Sequence, residues 1–143
     1  MNAVDHLTLA RKLEYLRKQL DLLEQYRILP KETLFSEQEK RLAVERLLEL
    51  SIQSVIDCSR LLVALEEWRR IRDERDAFLI LAEKGILREE LADHLLQAKG
   101  FRNVLVHEYV EIDPELLWFH LREDVGDLWE CMRSMAKYLE ERT

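Results

Sequence analysis

The side chains best suited to proton transfer and phosphate binding lie together in one short segment, GFRNVLVHEY, residues 100–109. It contains Arg102, Asn103, His107 and Tyr109. The unperturbed pKa of histidine is about 6.5, so His107 can accept or donate a proton at neutral pH. Arginine is a permanent planar cation that binds phosphate with two hydrogen bonds, and asparagine can hold an imidazole tautomer or a phosphate oxygen. Together these side chains could support metal-free cleavage of RNA, in which a ribose 2′-hydroxyl attacks the neighbouring phosphate.

The four polar residues of this segment would face one way if they belonged to one helix. At about 100° per residue, a helix that continues to Tyr109 places them within an arc of about 160°, with Val104 and Leu105 on the other side. The segment has one histidine, so a second proton-transfer group could come from a paired subunit. The alternative is structural, since a histidine beside an arginine near a helix end is often a cap or a surface ion pair. Spacing and composition leave both interpretations open.

The net charge of −7 comes entirely from the second half of the chain. Residues 1–75 carry 14 basic and 14 acidic side chains, whereas residues 76–143 carry 8 basic and 15 acidic ones. Acidic surroundings disfavour indiscriminate binding to phosphate backbones, so nucleic-acid chemistry would need a local positive pocket, for example one built from two subunits. The segment Trp68–Asp76 alternates four arginines with three acids, which indicates a solvated, self-paired connection rather than an arm that binds nucleic acid.

Neither a metal site nor a membrane span is expected. Cys58 and Cys131 lie far apart without a CxxC pair, and the four histidines are scattered without an HExxH motif. We therefore expect reduced core thiols, no metal and no cofactor. No run approaches the roughly 20 apolar residues of a membrane helix, and the N-terminus lacks the apolar run of a signal peptide. These features predict a cytoplasmic protein.

Hydrophobic periodicity predicts an all-α protein, an up-and-down bundle of four long helices and a short one that forms one domain over residues 1–143. A composition of 48% hydrophobic and 36% charged residues with only 3 Gly and 2 Pro also favours a bundle over a sandwich or barrel. Three of the predicted helices cover about residues 4–26, 77–84 and 114–141. Another runs from residue 36 to an end between residues 64 and 68, and the remaining one runs from residue 88 into the polar segment.

Local signals mark the ends of these helices. The first helix has a heptad seam of leucines and is ended by Leu29-Pro30, because the residue before proline disfavours the helical conformation. Ser36 and Glu39 have the spacing of a capping box for the second helix. Gly85 is a C-terminal cap for the short helix, and Asp113-Pro114 is a strong start for the last one.

Three stretches resemble the HEPN-domain ribonucleases, and specifically the HepT-like toxins. They are AFLILAEKGIL at 77–87, EEL at 89–91 and GFRNVLVHEY at 100–109. The full RNxLVHxY string carries the resemblance, which extends over roughly residues 36–140. The helical bundle of these proteins agrees with the fold that periodicity predicts.

The resemblance implies roles for the polar residues. Arg102 and His107 correspond to the catalytic pair of a metal-independent endoribonuclease, and Asn103 to a polar position that supports binding of RNA or phosphate. Tyr109 corresponds to the tyrosine to which a nucleotidyltransferase-fold antitoxin of the MntA type transfers AMP, in a type VII toxin–antitoxin system. Such toxins resemble one another in acting as homodimers whose two motifs meet in a cleft. AMP on Tyr109 would add bulk and negative charge beside Arg102 and compete with the RNA phosphate.

Two alternatives stay open. Asp57 resembles an acidic position common in these proteins, and it either orients a motif side chain or is a partly exposed helix acid. The chain is either a nuclease or a non-catalytic HEPN subunit that binds nucleotide or substrate for a partner nucleotidyltransferase, since Arg102 and Asn103 also suit phosphate binding without chemistry.

Overall fold

The computed structural model describes residues 1–107 and 111–142, and these residues contain helices and no strand. The helices are α1 (Ala3–Arg27), α2 (Lys31–Ser36), α3 (Gln38–Leu65), α4 (Glu74–Glu83), α5 (Glu89–Val106) and α6 (Pro114–Glu141). The four predicted long helices are α1, α3, α5 and α6, and the predicted short one is α4. The all-α bundle is therefore confirmed, and α2 is an addition that the sequence patterns do not indicate.

The heptad seam of α1 forms part of the core. His6 Nε2 lies 3.1 Å from the carbonyl oxygen of Leu139, and Arg27 donates a hydrogen bond of 3.1 Å to the carbonyl of Arg122. These two contacts join opposite ends of α1 and α6, so the two helices run antiparallel. The seam is buried against α3 and α6 through Leu9, Leu13, Leu16, Leu20 and Leu23.

The predicted capping box of Ser36 and Glu39 is wrong. Ser36 is the last residue of α2, and α3 begins two residues later with no side-chain capping hydrogen bond. Pro30, with φ fixed near −59°, precedes α2, and Leu34 anchors this short helix in the core. Arg41 donates to two carbonyl groups at the end of α2 at 3.1 and 3.0 Å, so the junction is stabilised from inside α3.

The prediction that the charged segment before α4 pairs with itself is confirmed only in part, because Asp73 pairs with Arg75 whereas Arg69 and Glu74 pair with residues outside the segment. α4 begins at Glu74, three residues before the predicted start, because the Asp73 carboxylate accepts a 2.8 Å hydrogen bond from the backbone N–H of Arg75. The side chains of Asp73 and Arg75 also form an ion pair of 3.2 Å, and Arg69 pairs with Glu83 at 2.9 Å. This early start places Glu74 on the helix beside the polar segment.

Two predicted helix boundaries are confirmed. Gly85 has a φ of 75°, the left-handed conformation that ends a helix most easily with glycine. Asp113 accepts a 3.0 Å hydrogen bond from the backbone N–H of Glu115, with Pro114 as the first helical residue of α6. α5 packs against α3, α4 and α6, so residues 100–106 of the polar segment form the last turns of a helix in contact with three others. In the described part of the chain no helix is both long and apolar enough to cross a membrane.

Candidate functional site

Arg102 points into the space between α3 and α4. Its side chain is only 12% exposed, and Nη2 lies 2.9 Å from Glu74 Oε2. Nη1 donates a short hydrogen bond to the side-chain oxygen of Gln53. The guanidinium is therefore fixed by one partner on each of two neighbouring helices, 49 and 28 positions away along the chain.

A second cation shares the carboxylate that binds Arg102. Lys99 Nζ lies 3.4 Å from Glu74 Oε2, one helical turn before Arg102 on α5. One carboxylate between two cations leaves a surplus of one positive charge. This surplus is confined to these three side chains, and a phosphate that displaced Glu74 would meet both cations.

Gln53 connects Arg102 to Asp57. The amide nitrogen of Gln53 donates to Asp57 Oδ1 at 2.9 Å, while its oxygen accepts from Arg102. The donor on one side and the acceptor on the other determine the orientation of the amide. Asp57 is thus an exposed acid of α3 that is linked to Arg102 through Gln53, which agrees with both alternatives given for it above. We call Arg102, Lys99, Glu74, Gln53 and Asp57 the Arg102 network.

The Arg102 network contains an unmet hydrogen bond. Arg102 Nε is buried and has no hydrogen-bond partner in the described part of the chain. An unsatisfied buried donor costs about 1–3 kcal/mol. Nε and Nη2 form one edge of the guanidinium and Glu74 binds only Nη2, so an acceptor with two oxygens could satisfy both donors if it displaced Glu74.

The other predicted site residues lie apart from Arg102. Asn103 and His107 are exposed, and the backbone N–H of His107 donates to the carbonyl of Asn103 at 3.2 Å. Among the described residues, no hydrogen bond joins the side chains of Arg102 and His107. α5 ends at Val106 with His107 as its C-cap, and Tyr109 lies outside the described residues. The predicted common arc is therefore wrong for Arg102, which faces α3 and α4 while Asn103 faces solvent.

A histidine that the sequence analysis did not single out anchors α5 next to Arg102. The ring of His120 on α6 stacks on Phe101, with centroids 3.8 Å apart and planes 8° from parallel. His120 Nδ1 lies 2.8 Å from Asp124 Oδ2, one helical turn along α6. The spacing of four residues between His120 and Asp124 could have indicated this contact from the sequence. The stack joins α5 to α6 at the residue before Arg102.

Both cysteines are free and buried, as predicted. Burial raises the pKa of the Cys58 thiol to about 12, so this group is uncharged at neutral pH. In residues 1–107 and 111–142, no group of three or more His, Cys, Asp or Glu side chains is arranged to hold a metal ion.

Solved structures share this fold. The HEPN toxin of Shewanella oneidensis, solved tri-AMPylated in complex with an MNT antitoxin, matches with a TM-score of 0.80 and 18% identity, over 96% of this chain and 99% of that one. YutE, a cytosolic protein of unknown function from Bacillus subtilis, matches with a TM-score of 0.82 and 22% identity, over 99% and 95% of the two chains. The chain is thus an all-helical protein of the HEPN fold.

The sequence comparison gives the family. Residues 16–135 match the family described as Ribonuclease HepT-like. The tRNA nuclease HepT of Aphanizomenon flos-aquae (strain 2012/KM1/D3) is 32% identical over 139 residues, which is 97% of this chain and 95% of that protein. The mRNA nuclease HepT of Shewanella oneidensis is 33% identical over 46 residues, about a third of each chain. The chain belongs to the HepT-like ribonuclease family, which confirms the resemblance and the prediction of an RNase.

Proposed function

We propose that this chain is a cytoplasmic, metal-independent endoribonuclease toxin in which Arg102 and His107 cleave RNA, with residues 1–143 acting as one domain. The observation that supports this most is the setting of Arg102, a guanidinium held by Gln53 and Glu74 with Lys99 beside it. A fixed cation with an unmet donor suits a doubly charged transition state better than a mobile surface arginine does.

Phosphate would bind by displacing Glu74 from the Nε and Nη2 edge of Arg102. A phosphate that accepts hydrogen bonds from Nε and Nη2 satisfies the buried donor and takes the place of Glu74. Lys99 shares the same carboxylate, so the exchange also leaves Lys99 able to pair with the phosphate. Two cations would then face the negative charge that develops during cleavage.

The exposed residues supply the proton transfers. His107 is accessible to a ribose 2′-hydroxyl and can take its proton as the 2′-oxygen attacks phosphorus. The bond to the 5′-oxygen breaks, that oxygen receives a proton, and the products are a 2′,3′-cyclic phosphate and a 5′-hydroxyl end. One histidine serves one of these two transfers, and we assign the other to His107 of a second copy. Asn103, exposed beside it, supports the RNA backbone.

A homodimer is part of the proposal. Val104, Val106, Leu116 and Phe119 are exposed apolar side chains at the end of α5 and the start of α6. Exposed apolar side chains grouped beside a site are typical of an interface. Val104→Glu should convert a dimer to a monomer in analytical ultracentrifugation. Leu22→Glu is the matched control, since Leu22 is 46% exposed and Val104 47%, and it should leave the dimer intact.

The proposed partner is a nucleotidyltransferase-fold antitoxin of the MntA type that transfers AMP to Tyr109. The support is family membership and the tyrosine of the RNVLVHEY string. After co-expression with such an antitoxin, intact-mass measurement should show one or more added AMP groups and nuclease activity should be lost. Tyr109→Phe should remove both effects. An unmodified mass together with full neutralisation would mean that the antitoxin inhibits by binding alone.

The nuclease proposal is tested with purified protein and RNA in EDTA. We expect cleavage that leaves 2′,3′-cyclic phosphate ends, and loss of cleavage in His107→Ala and Arg102→Ala with the helical content retained. His94→Ala is the control, because His94 also lies on α5 but pairs with Asp127 at 3.4 Å. Full activity of both motif variants would show that the catalytic assignment is wrong.

The second candidate function is a non-catalytic subunit that binds nucleotide for a partner nucleotidyltransferase. It is favoured by the separation of the predicted catalytic pair, since Arg102 is held by Glu74 and Gln53 while His107 is exposed, and phosphate binding by Arg102 does not require His107. The same experiment separates the two functions. RNA that stays intact, together with tight nucleotide binding that Arg102→Ala abolishes, would support the binding subunit.

A further inference from the structure

A groove that adjoins the Arg102 network at Asp57 lies between α1 and α3. Its volume is about 330 Å³, and it is lined by Arg11, Lys12, Tyr15, Ser54, Asp57 and Cys58. Small-molecule sites occupy about 300–1,000 Å³, so the groove is large enough for a small ligand or for part of a longer one. We call it the α1–α3 groove.

The cations of the α1–α3 groove differ from the other basic residues of α1. Arg17 is held at 2.6 Å by both Glu14 and Asp21, and the charge of that group is neutralised locally. Arg11 and Lys12 are exposed and form no ion pair within the described residues. These two cations outnumber Asp57, the acidic residue that lines the groove, so the groove has a positive surplus that attracts an anion.

Tyr15 adds an aromatic surface to these cations. It lies four residues after Arg11, so the two side chains share one face of α1. Its side chain is 59% exposed, which leaves the ring open to solvent at the edge of the groove. Cations that bind the backbone, together with an aromatic ring on which a base can stack, are the two parts of a site for single-stranded nucleic acid.

Asp57 restricts the kind of anion that can bind in the α1–α3 groove. Its carboxylate also lines the groove and repels a bare phosphate, but it accepts hydrogen bonds from hydroxyl and amino groups. A nucleotide satisfies both demands, because its phosphate can pair with Arg11 and Lys12 while its ribose hydroxyl donates to Asp57. The ribose 2′-hydroxyl is also the group that distinguishes RNA from DNA.

Asp57 is also the point at which the groove meets the Arg102 network. Two hydrogen bonds connect it to Arg102 through Gln53, at 2.9 Å from Gln53 to Asp57 and by the short contact from Arg102 to Gln53. Gln53 and Asp57 are one turn apart on α3, a spacing of about 6 Å. An RNA strand with one phosphate at Arg102 can therefore reach the groove with a nucleotide nearby.

We infer that the α1–α3 groove binds one unpaired ribonucleotide of the RNA substrate, next to the cleavage site: Tyr15 stacks on the base, Arg11 and Lys12 pair with its phosphate, and Asp57 accepts a hydrogen bond from its 2′-hydroxyl. This inference rests on the proposed nuclease function. It makes the groove a site that strengthens substrate binding and takes no part in the bond-breaking step.

The first test compares a single-stranded RNA long enough to cover both sites with a dinucleotide. Tyr15→Ala should raise KM for the long RNA about tenfold, with kcat within twofold, because a stacked base is lost. The same variant should cleave the dinucleotide as the unmodified protein does. Lys137→Ala is the control, an exposed cation of α6 outside the groove, and it should change neither substrate. An unchanged KM for the long RNA in Tyr15→Ala would overturn the inference.

The second test measures binding without cleavage, so the groove can be judged even if the nuclease proposal fails. Labelled RNA is titrated by fluorescence anisotropy into the full chain carrying His107→Ala. Adding Arg11→Ala or Lys12→Ala should each reduce the slope of log Kd against log salt by about 0.7, and Asp57→Asn should reduce the preference for RNA over DNA of the same sequence. Unchanged RNA binding, with weakened binding of the antitoxin in the same variants, would mean that the groove is a protein-binding surface.

Discussion

Removing the amide of Gln53 is the most direct perturbation of the Arg102 network. In Gln53→Ala, Arg102 Nη1 loses its acceptor while Nε is already without one, so two donors of a guanidinium that is 12% exposed remain unsatisfied. A hydrogen bond to a charged group contributes about 1.5–3 kcal/mol, and partial access of water favours the middle of that range, about 2 kcal/mol. For a chain of this length that loss corresponds to a fall in Tm of roughly 6–8 °C.

Urea unfolding of a double-mutant cycle measures this coupling. Gln53→Ala, Arg102→Ala and the double variant should show an interaction energy of about 1–2 kcal/mol, because the double variant leaves no stranded donor. Gln97→Ala on the exposed side of α5 is the matched control and should change the free energy of unfolding by no more than about 0.5 kcal/mol. If the effects of Gln53→Ala and Arg102→Ala add to within about 0.5 kcal/mol, the proposed positioning of Arg102 by Gln53 is refuted.

Three further predictions concern other parts of the molecule. Gly85→Ala should lower the free energy of unfolding by about 1–2 kcal/mol, because φ is 75° at this position. Gly100→Ala should raise it by about 0.5–1 kcal/mol, because Gly100 lies inside α5 and an added Cβ has nothing within 4 Å. Chemical denaturation measures both changes. Asp124→Ala should cost about 1–3 kcal/mol, because its buried carboxylate is the 2.8 Å partner of a half-buried histidine; a loss below 0.5 kcal/mol would contradict this. Burial and the hydrogen bond to Glu66 raise the pKa of Tyr138 from 10 to about 12, so the folded state holds this proton more tightly than the unfolded state does. The contribution of Tyr138 to the free energy of unfolding is therefore present below pH 10 and is lost as the pH rises to about 12. Tyr138→Phe should remove that loss in unfolding curves measured across the same interval.

The helices were largely predictable because their signals are local. The leucine seam of α1 and the caps at Gly85 and Asp113 depend on residues within one or two turns of each other, and the structure has them as predicted. α2 was not predictable in this way, because six residues with one buried leucine carry no period. The false capping box at Ser36 has the same origin, since its spacing is correct but the preceding residues are already helical.

The candidate site was predictable only in part. The polar segment is visible as a cluster, and Lys99 lies at helical spacing from Arg102 on the same helix. The partners that fix Arg102 come from α3 and α4, and no local pattern encodes a contact between residues 49 positions apart. Glu74 carried a misleading signal, because it stands among alternating charges that indicate a solvated connection. These distant partners determine the direction of the Arg102 side chain. Helical angles alone therefore placed Arg102 on the wrong side of α5, together with Asn103 and His107.

The two partners of Arg102 lie on parts of the chain that open with very different ease. Gln53 lies in the middle of a 28-residue helix, whereas Glu74 is the first residue of a ten-residue helix that follows an irregular connection. The ends of short helices unfold locally at a small free energy, while the middle of a long core helix opens only with the whole fold. Fraying of the first turn of α4 therefore withdraws the carboxylate and leaves the guanidinium held by the amide alone. Exchange of the Arg75 and Asp76 amides, whose N–H groups bind Asp73 in that turn, should thus report how often Arg102 is released, many times for each global unfolding of the protein.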